Sequence, residues 1–539
     1  MKKVLKKSLA GLLSAAALFT LCACGADTQL PEEEQPIEFD VSDSVSGKLL
    51  TAGESADNVF SLMVDYEKKL NPLSTKSTLN QMVGQLVYDN LFDVSNDFQL
   101  SSRILSDWYY VEDSNTWVLT PREDILMHDG EPLTAEDIVY SLSRVYSQGL
   151  TYYQQRMGHA YVSSYQGIVY VAGDYGDSLL PYRLTVPIIR HGSILEEAPV
   201  GSGPYMFNED HTELNRFEDY ENAELLPLDT IYLRQFTDAE ELITEYESAL
   251  VDIVLNDPTG IYNMGYGGKN EKRVLNTTNM HYLGFNAYSD FFCYDQYRYA
   301  LNWIIDRDGI AEDVLDGAAT ASALPIHPDS ELFDPELNAS FDYDPERCLI
   351  EFEELGCRDL DDDGFLEFAM SGSKVEITVK FLVCADNAVK VLAARRIAED
   401  LRAIGLDVDL KELSWKQYIQ ALKDGDFDMY YAETAIGPDW NTLPFFEGLD
   451  DEENVTNLNY GRWYNETAED AVYAFLAAGE ESREEARNVM LQELTFDSYF
   501  IPICFEKQEV VSHLGVIFGM DACQHNIFHN MTNWTVNLE

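Results

Sequence analysis

The segment from Val375 to Tyr431 constrains the fold more than any other part of this chain. Val375, Ile377, Val379, Phe381 and Val383 alternate as a strand, and Val391, Leu392, Ala394, Ile397, Ala398, Leu401 and Ile404 then recur at helical spacing until Gly405 ends the helix. Leu406, Val408 and Leu410 alternate again, so strand, helix and strand follow within about 36 residues, enough for a crossover between parallel neighbours. A second unit comes at once. Trp415, Tyr418, Ile419 and Leu422 form a helical stripe ending at Gly425, and Phe427 to Tyr431 predicts the next buried strand. Two crossovers in succession predict an α/β sheet covered by helices. The 539 residues are too many for one core at roughly 100 to 200 residues per domain, and no repeat or long linker divides them. Two or three interleaved lobes are expected.

The N-terminus predicts export. Lys2, Lys3, Lys6 and Lys7 precede an apolar run from Leu9 to Leu21, the pattern of a signal peptide. The run is 13 residues long, short of the roughly 20 that a spanning helix needs. Leu21-Cys22-Ala23-Cys24 resembles the bacterial lipobox, which implies lipidation and cleavage at Cys24 after a signal peptide of residues 1–23. Several acyl chains on Cys24 would make the stable anchor that one chain does not. Residues 24–47 are acidic, carry Pro31 and Pro36 and are short of large apolar side chains, so they read as a disordered tether with a reach on the order of 25 Å.

Charge narrows the partners. With 36 Lys and Arg against 95 Asp and Glu, a net charge of −59, the surface repels nucleic acid. Cys293, Cys348, Cys357, Cys384, Cys504 and Cys523 form no CxxC pair, which leaves buried thiols or disulfides of unknown pairing. Tyr109 to Leu119 has the aromatic and β-branched content of a strand, and Asp129-Gly130 signals a turn. Thr134 with Asp137 makes a carboxylate variant of the capping box, opening a helix with Ile138, Leu142, Val145 and Tyr146 on one face.

Several segments, taken in order, carry a resemblance. They are Asn71-Pro72-Leu73, Val87-Tyr88-Asp89-Asn90-Leu91-Phe92, and the stretch from Leu105 through Trp108, Trp117, His128-Asp129-Gly130 and Thr134-Ala135-Glu136-Asp137-Ile138-Val139. Pro199-Val200-Gly201-Ser202-Gly203-Pro204-Tyr205, Tyr220, Val251-Asp252-Ile253 and Tyr282-Leu283-Gly284-Phe285-Asn286 follow, then Ile305-Asp306-Arg307, Tyr343-Asp344-Pro345 and Gly425-Asp426-Phe427-Asp428. Together they resemble the family 5 extracellular solute-binding proteins, the oligopeptide, dipeptide and nickel receptors of ABC importers.

The resemblance implies an α/β, periplasmic-binding-protein-like fold (class II, cluster C) with two lobes, a hinge and an extra inserted domain. Lobe I would comprise 48–79, 191–280 and 505–539, the inserted domain 81–190, and lobe III 281–504. The stretch between Tyr146 and Pro199 looks compressed relative to the family. A lipid-anchored, extracytoplasmic monomer is implied, one that closes on a peptide or small solute and delivers it to the permease subunits of its importer, without a cofactor and without catalysis.

The same resemblance supplies candidate ligand contacts. An aspartate after a tryptophan-containing loop often pairs with the ligand's α-amino group in peptide receptors of this kind, but here Thr434 and Gly437 stand in those positions. Glu433 and Asp439 are the nearby carboxylates that could replace it, or solvated loop acids. Trp415 matches a pocket tryptophan, unless it belongs to the core stripe; Tyr66, Asn256, Tyr431 and Phe505 lie on segments that reach the cleft.

Other chemistry has little support. Asp359, Asp361, Asp363 and Gly364 fit calcium-loop positions, but the twelfth position is Met370 where a bidentate glutamate is needed. Cys523, His525 and His529 have metal-ligand types on a segment with no helical signal. No G-x-S-x-G, H-E-x-x-H, P-loop or G-x-G-x-x-G appears, so neither a metal site nor an enzyme is expected. A receptor for nickel chelates or another small solute, a surface hydrolase, and an adhesion or signalling lipoprotein are the competing readings.

Overall fold

The computed structural model describes residues 58–147, 153, 157–173, 176–260, 269–370, 373–449, 455 and 457–538. Cys24, the signal peptide and the tether lie outside the described residues.

The largest sheet has seven strands: β1 (Ile253–Asn256), β2 (Asn270–Phe285), β3 (Ala319–Ala321), β4 (Thr378–Cys384), β5 (Asp407–Leu413), β6 (Met429–Ala435) and β7 (Phe500–His513). Its order is β1-β7-β2-β6-β4-β5, with β3 added to β7. β4 runs parallel to both β5 and β6, and the two predicted crossovers are α1 (Ala388–Ala403) and α2 (Trp415–Asp424). Asn387 caps α1 by accepting from Val389 N and Lys390 N at 3.0 and 3.1 Å, and Gly405 follows in the left-handed region at φ +96°. Ser414 and Gln417 form a capping box on α2, which Gly425 terminates at φ +71°. Covered on both sides, β4 buries consecutive residues from Phe381 to Cys384, as a central parallel strand does.

Two further sheets have four strands each, and both contribute to the core that also takes in Leu275 of β2 and Val510 of β7. Ser61–Val64 pairs in parallel with Thr230–Gln235, which continues antiparallel to Glu213–Arg216 and Tyr205–Phe207. Leu105–Val111 with Thr116–Pro121 and Ala160–Tyr165 with Ile168–Gly173 form two hairpins, joined antiparallel through Thr116–Pro121 and Ile168–Gly173. The helix Ala135–Ser147 opens as expected, with Thr134 N and Oγ1 donating to Asp137 Oδ2 at 2.8 and 2.7 Å, and Ile138, Leu142 and Val145 are fully buried.

Two local expectations need correction. Tyr109 to Leu119 is a hairpin and not one strand: Glu112–Ser114 turns the chain and Asn115 takes a left-handed φ of 48°. The alternation from Val375 to Val383 is split at Ile377, because Ser373–Glu376 pairs with Glu367–Met370 and only Thr378–Cys384 joins the large sheet. The six cysteines are free thiols, five buried and Cys293 exposed.

The long strands β2 and β7 pass between separate cores. Leu275 on β2 and Val510 on β7 belong to a cluster with Phe60, Leu86 and Ile138. Leu283 and Phe285 on β2, with Ile501 and Ile503 on β7, belong to another with Trp303, Phe381 and Ile397. Two antiparallel strands thus join the cores of two bodies, a third cluster brings Val94, Phe98 and Leu179 together with Tyr282, Trp440 and Phe505, and the strand register slips between Asn276 and Met280.

Candidate functional site

At this slip polar residues gather on one face of the sheet, while Met280, Tyr282 and Phe505 are buried in an apolar cluster. His281 on β2 lies opposite Glu433 on β6 and beside β7, fully buried. Its Nδ1 is 2.6 Å from the Tyr431 hydroxyl and its Nε2 is 2.6 Å from Glu506 Oε1 and 3.4 Å from Glu433 Oε2. Lys390, from the first turn of α1, brings its Nζ within 2.5 Å of the same Glu433 oxygen. Thr259 Oγ1 and Asn279 Nδ2 donate to the two oxygens of Glu506 at 2.9 and 2.8 Å. Every carboxylate here is thus matched by a cation or a donor, as burial demands.

Electrostatics divides the two acids. Burial opposes the ionisation of Glu433, but Lys390 and His281 overcome it and hold the carboxyl well below the usual range. Burial and the Glu433 charge raise Glu506, with His281 only partly opposing them. Burial alone would lower His281, yet Glu506 and Glu433 push it up to about 9. The imidazole is therefore a cation at neutral pH.

His281, Glu433 and Glu506 each offer a donor atom within 4.8 Å of the others, a three-ligand set for a metal ion. Lys390 weighs against that use: its ammonium already neutralises Glu433 at the point where a divalent ion would have to sit. The exposed Asp359, Asp361 and Asp363 also gather their oxygens, but Asp359 is occupied by the N–H groups of Asp361, Asp362, Asp363 and Gly364. Met370 is described in its backbone only. Cys523 forms an isolated bridge with Asn526, whose carbonyl accepts from its thiol, and His529 lies in a turn with its imidazole 3.3 Å from Asp521.

The expected contact residues fall into groups. Tyr431 and Glu433 meet through His281. Asp439, buried, pairs with Arg183 at 2.9 Å, and Arg183 also pairs with Asp177. The next residue, Trp440, packs its ring 5.0 Å from Phe98 and 5.7 Å from Phe505, and His327 completes this aromatic knot at 4.9 Å from Phe98 and 5.3 Å from Phe505. Burial pushes His327 down to about 4, so it is neutral there. Asn256 is buried at the end of β1, its amide donating to Glu509 at 3.0 Å, and lines a cavity of about 240 Å³ beside the connecting strands.

Two expected residues stand outside these groups. The half-buried Trp415 packs its ring, tilted by 31°, 6.2 Å from that of Tyr418, whose hydroxyl donates to the Tyr431 carbonyl at 2.7 Å, so it is one step removed from the cluster. Tyr66 is 38% exposed and donates to the His211 carbonyl at 2.7 Å. The sequence reading passed over His281, Lys390, Glu506, Arg183 and His327. The only signals were adjacency: His281 precedes the Tyr282–Asn286 motif and Glu506 follows Phe505.

Comparison with known proteins gives this architecture its place. The model of the bacterial extracellular solute-binding proteins, family 5, matches residues 99–457. The oligopeptide-binding protein AppA of Bacillus subtilis is 24% identical over 377 residues, 65% of this chain and 67% of its own length. The nickel-binding periplasmic protein of Escherichia coli is 22% identical over 394 residues, 67% of this chain and 72% of its own. The haem-binding protein A of Haemophilus influenzae is 23% identical over 298 residues, 54% of this chain and about half of its own length, 51%. Among solved structures, HbpA2 of Haemophilus parasuis superposes with a TM-score of 0.71 at 17% identity, covering 89% of this chain and 99% of that one. AppA of Bacillus subtilis with a nonapeptide gives 0.57 at 18% identity, covering 90% and 99%. These structures share the two-lobe α/β fold, and with the family model matched over most of its length, this chain belongs to the family 5 bacterial extracellular solute-binding proteins.

Proposed function

We propose that this chain is the lipid-anchored receptor of an ABC importer, held outside the cell membrane at Cys24, and that it closes as a monomer over an oligopeptide or dipeptide and hands it to the permease. The supporting observation is the junction of β2, β6 and β7, where polar and aromatic side chains from both bodies converge beside the connecting strands. The change of core along β2 and β7 supports separating lobe III (281–504) from the rest; lobe I (48–79, 191–280, 505–539) and the inserted domain (81–190) share one core, and their division is proposed from the resemblance. Tyr66, Asn256, Trp415, Tyr431, Glu433, Asp439 and Phe505 are the proposed contacts.

A second reading, a receptor for a metal chelate or another small solute, draws on one feature. Glu433 and Asp439 already hold Lys390 and Arg183, so a peptide's ammonium group must displace an internal cation to be bound by either. Native mass spectrometry of protein taken from its own cells decides between the two. A ladder of peptide masses supports the peptide receptor, and one chelate mass overturns it in favour of the second reading. Cleavage of a bound peptide points instead to a hydrolase, and no bound or closing solute to an adhesion or signalling protein.

A further inference from the structure

The segment from Asp177 to Arg183 is wedged between the two bodies. Leu179 and Leu180 are neighbours in the chain and both are buried, yet Leu180 packs into the core of Phe60 and Ile138 while Leu179 packs into the cluster of Trp440 and Leu476. The Trp117 indole holds the segment to the first body by donating to the Asp177 carbonyl at 3.0 Å. Its other contacts reach across. Ser178 N donates to the Leu476 carbonyl at 2.7 Å and Ser178 Oγ donates to the Ala478 carbonyl, both at the C-terminal end of the helix Glu466–Ala477. The last carbonyls of a helix need donors from outside it, and Ser178 supplies them.

Arg183 makes the second fastening. Its guanidinium donates to the Met157 carbonyl at 3.3 Å, pairs with Asp177 beside it and reaches Asp439 Oδ2 at 2.9 Å. Asp177 and Asp439 are both buried, so this exchange of charge is largely shut away from water. Parting the bodies here strips a buried carboxylate of its cation and two helix-end carbonyls of their donors. Every partner belongs to the chain itself. The fastening therefore forms without help from a solute.

We infer that the Asp177–Arg183 segment is a clasp that holds lobe III closed against the rest of the chain before any solute is bound. The inference rests on the two-body receptor reading above and specifies the state in which that receptor waits. Solute enters through the minor open state, so association is slowed by the small fraction of chains that are open.

A cross-link placed in the clasp reads the closed fraction. A Cβ on Gly176 would lie 3.1 Å from the Ala477 Cβ, a few tenths of an ångström inside the ~3.5–4.5 Å that a disulfide spans, so Gly176→Cys with Ala477→Cys bridges only when the bodies meet. Hinge motion takes microseconds to milliseconds and thiol oxidation seconds or longer, so the bridging rate is proportional to the closed fraction. The full chain carrying this pair is stripped of carried solute in guanidinium, refolded and oxidised, and the bridge is followed by peptide mapping. The expected result is fast bridging without solute, changed less than about twofold by a tryptic casein digest, and bridging slowed about tenfold when Arg183→Gln is added, which leaves Asp177 and Asp439 without their shared cation. Hydrogen exchange at the Ser178 amide of the wild type keeps the test decisive should Arg183→Gln not fold: protection of about a hundredfold without solute is expected, and exchange at the rate of an open loop overturns the inference. Slow bridging that only the digest accelerates also overturns it, as does equal bridging with and without Arg183. A slowed Arg183→Gln chain that the digest restores supports the clasp and the receptor together; one that the digest leaves slow keeps the clasp and removes the receptor.

Discussion

The side-chain amide of Asn387 donates a 2.9 Å hydrogen bond to the carbonyl of Thr259, tying the N-terminus of α1 to the segment that follows β1. The same Asn387 side chain accepts from Val389 N and Lys390 N, so one residue both caps a helix and fastens the two bodies. Substitution separates the roles. Asn387→Ala should cost about 1 to 2 kcal/mol in chemical denaturation through the lost cap. Asn387→Asp keeps the cap but replaces the donor with an oxygen facing a carbonyl, and should weaken ligand binding about fivefold while most thermal stability survives. Unchanged affinity in Asn387→Asp would assign the contact to helix capping alone.

The buried imidazole sets a pH dependence. His281 is raised in the folded state to about 9 from an ordinary 6.5, so its contribution is complete below pH 6.5 and is lost as pH rises through about 9. The loss is on the order of 3 kcal/mol. Glu506, also raised, works in the same direction, whereas Glu433, held low, stabilises above its ordinary range and fails only in acid. Melting temperature should therefore fall between pH 7 and 10. In His281→Gln the unfolding free energy should start lower, by about 3 to 5 kcal/mol for a broken buried pair, and vary less over that range.

Gly284 has a packing reason. A Cβ there would lie 2.2 Å from the Tyr430 ring, which is itself held edge-on by Phe427 and Tyr282. Gly284→Ala should cost about 1 to 3 kcal/mol or more by overpacking. Gly284→Ala with Tyr430→Leu should cost less than the sum of the two single changes, measured by urea denaturation.

Arg183 and Asp439 connect the 81–190 segment to the second body. Asp439→Asn leaves a largely buried guanidinium with Asp177 alone and should destabilise by about 3 to 5 kcal/mol. Arg183→Met added to it should recover part of that loss. A double variant no more stable than Asp439→Asn would show that Asp177 suffices for the arginine.

What could be read from the chain beforehand follows from range. The crossovers at α1 and α2 were legible because periodicity, caps and the glycines at 405 and 425 all lie within a few residues of what they determine. The hairpin at Glu112–Asn115 was missed because its turn lacks glycine and proline and its flanks are equally strand-like; the turn-forming Asp113 and Ser114, with Asn115 tolerant of a left-handed φ, were the local clues. Val375 was assigned to the wrong sheet because its partner, Phe368, is chosen by a hairpin that alternation alone does not reveal. The His281 cluster was out of reach for a stronger reason. It depends on β2 meeting β6 and β7 at one register, which brings together residues separated by 150 and 225 positions, and a lone histidine or lysine carries no mark of such company.

The continuity of β2 and β7 through both cores also governs what a docking partner could sense. A strand displaced by one residue turns every side chain to the opposite face, so two paired strands forbid the bodies to slide past each other by small steps. They leave bending and twisting near the irregular register around Thr277 and Thr278 as the compliant modes. Any machine gripping both bodies at once is therefore offered essentially one coordinate, an angle, and reads occupancy from it without touching the cargo.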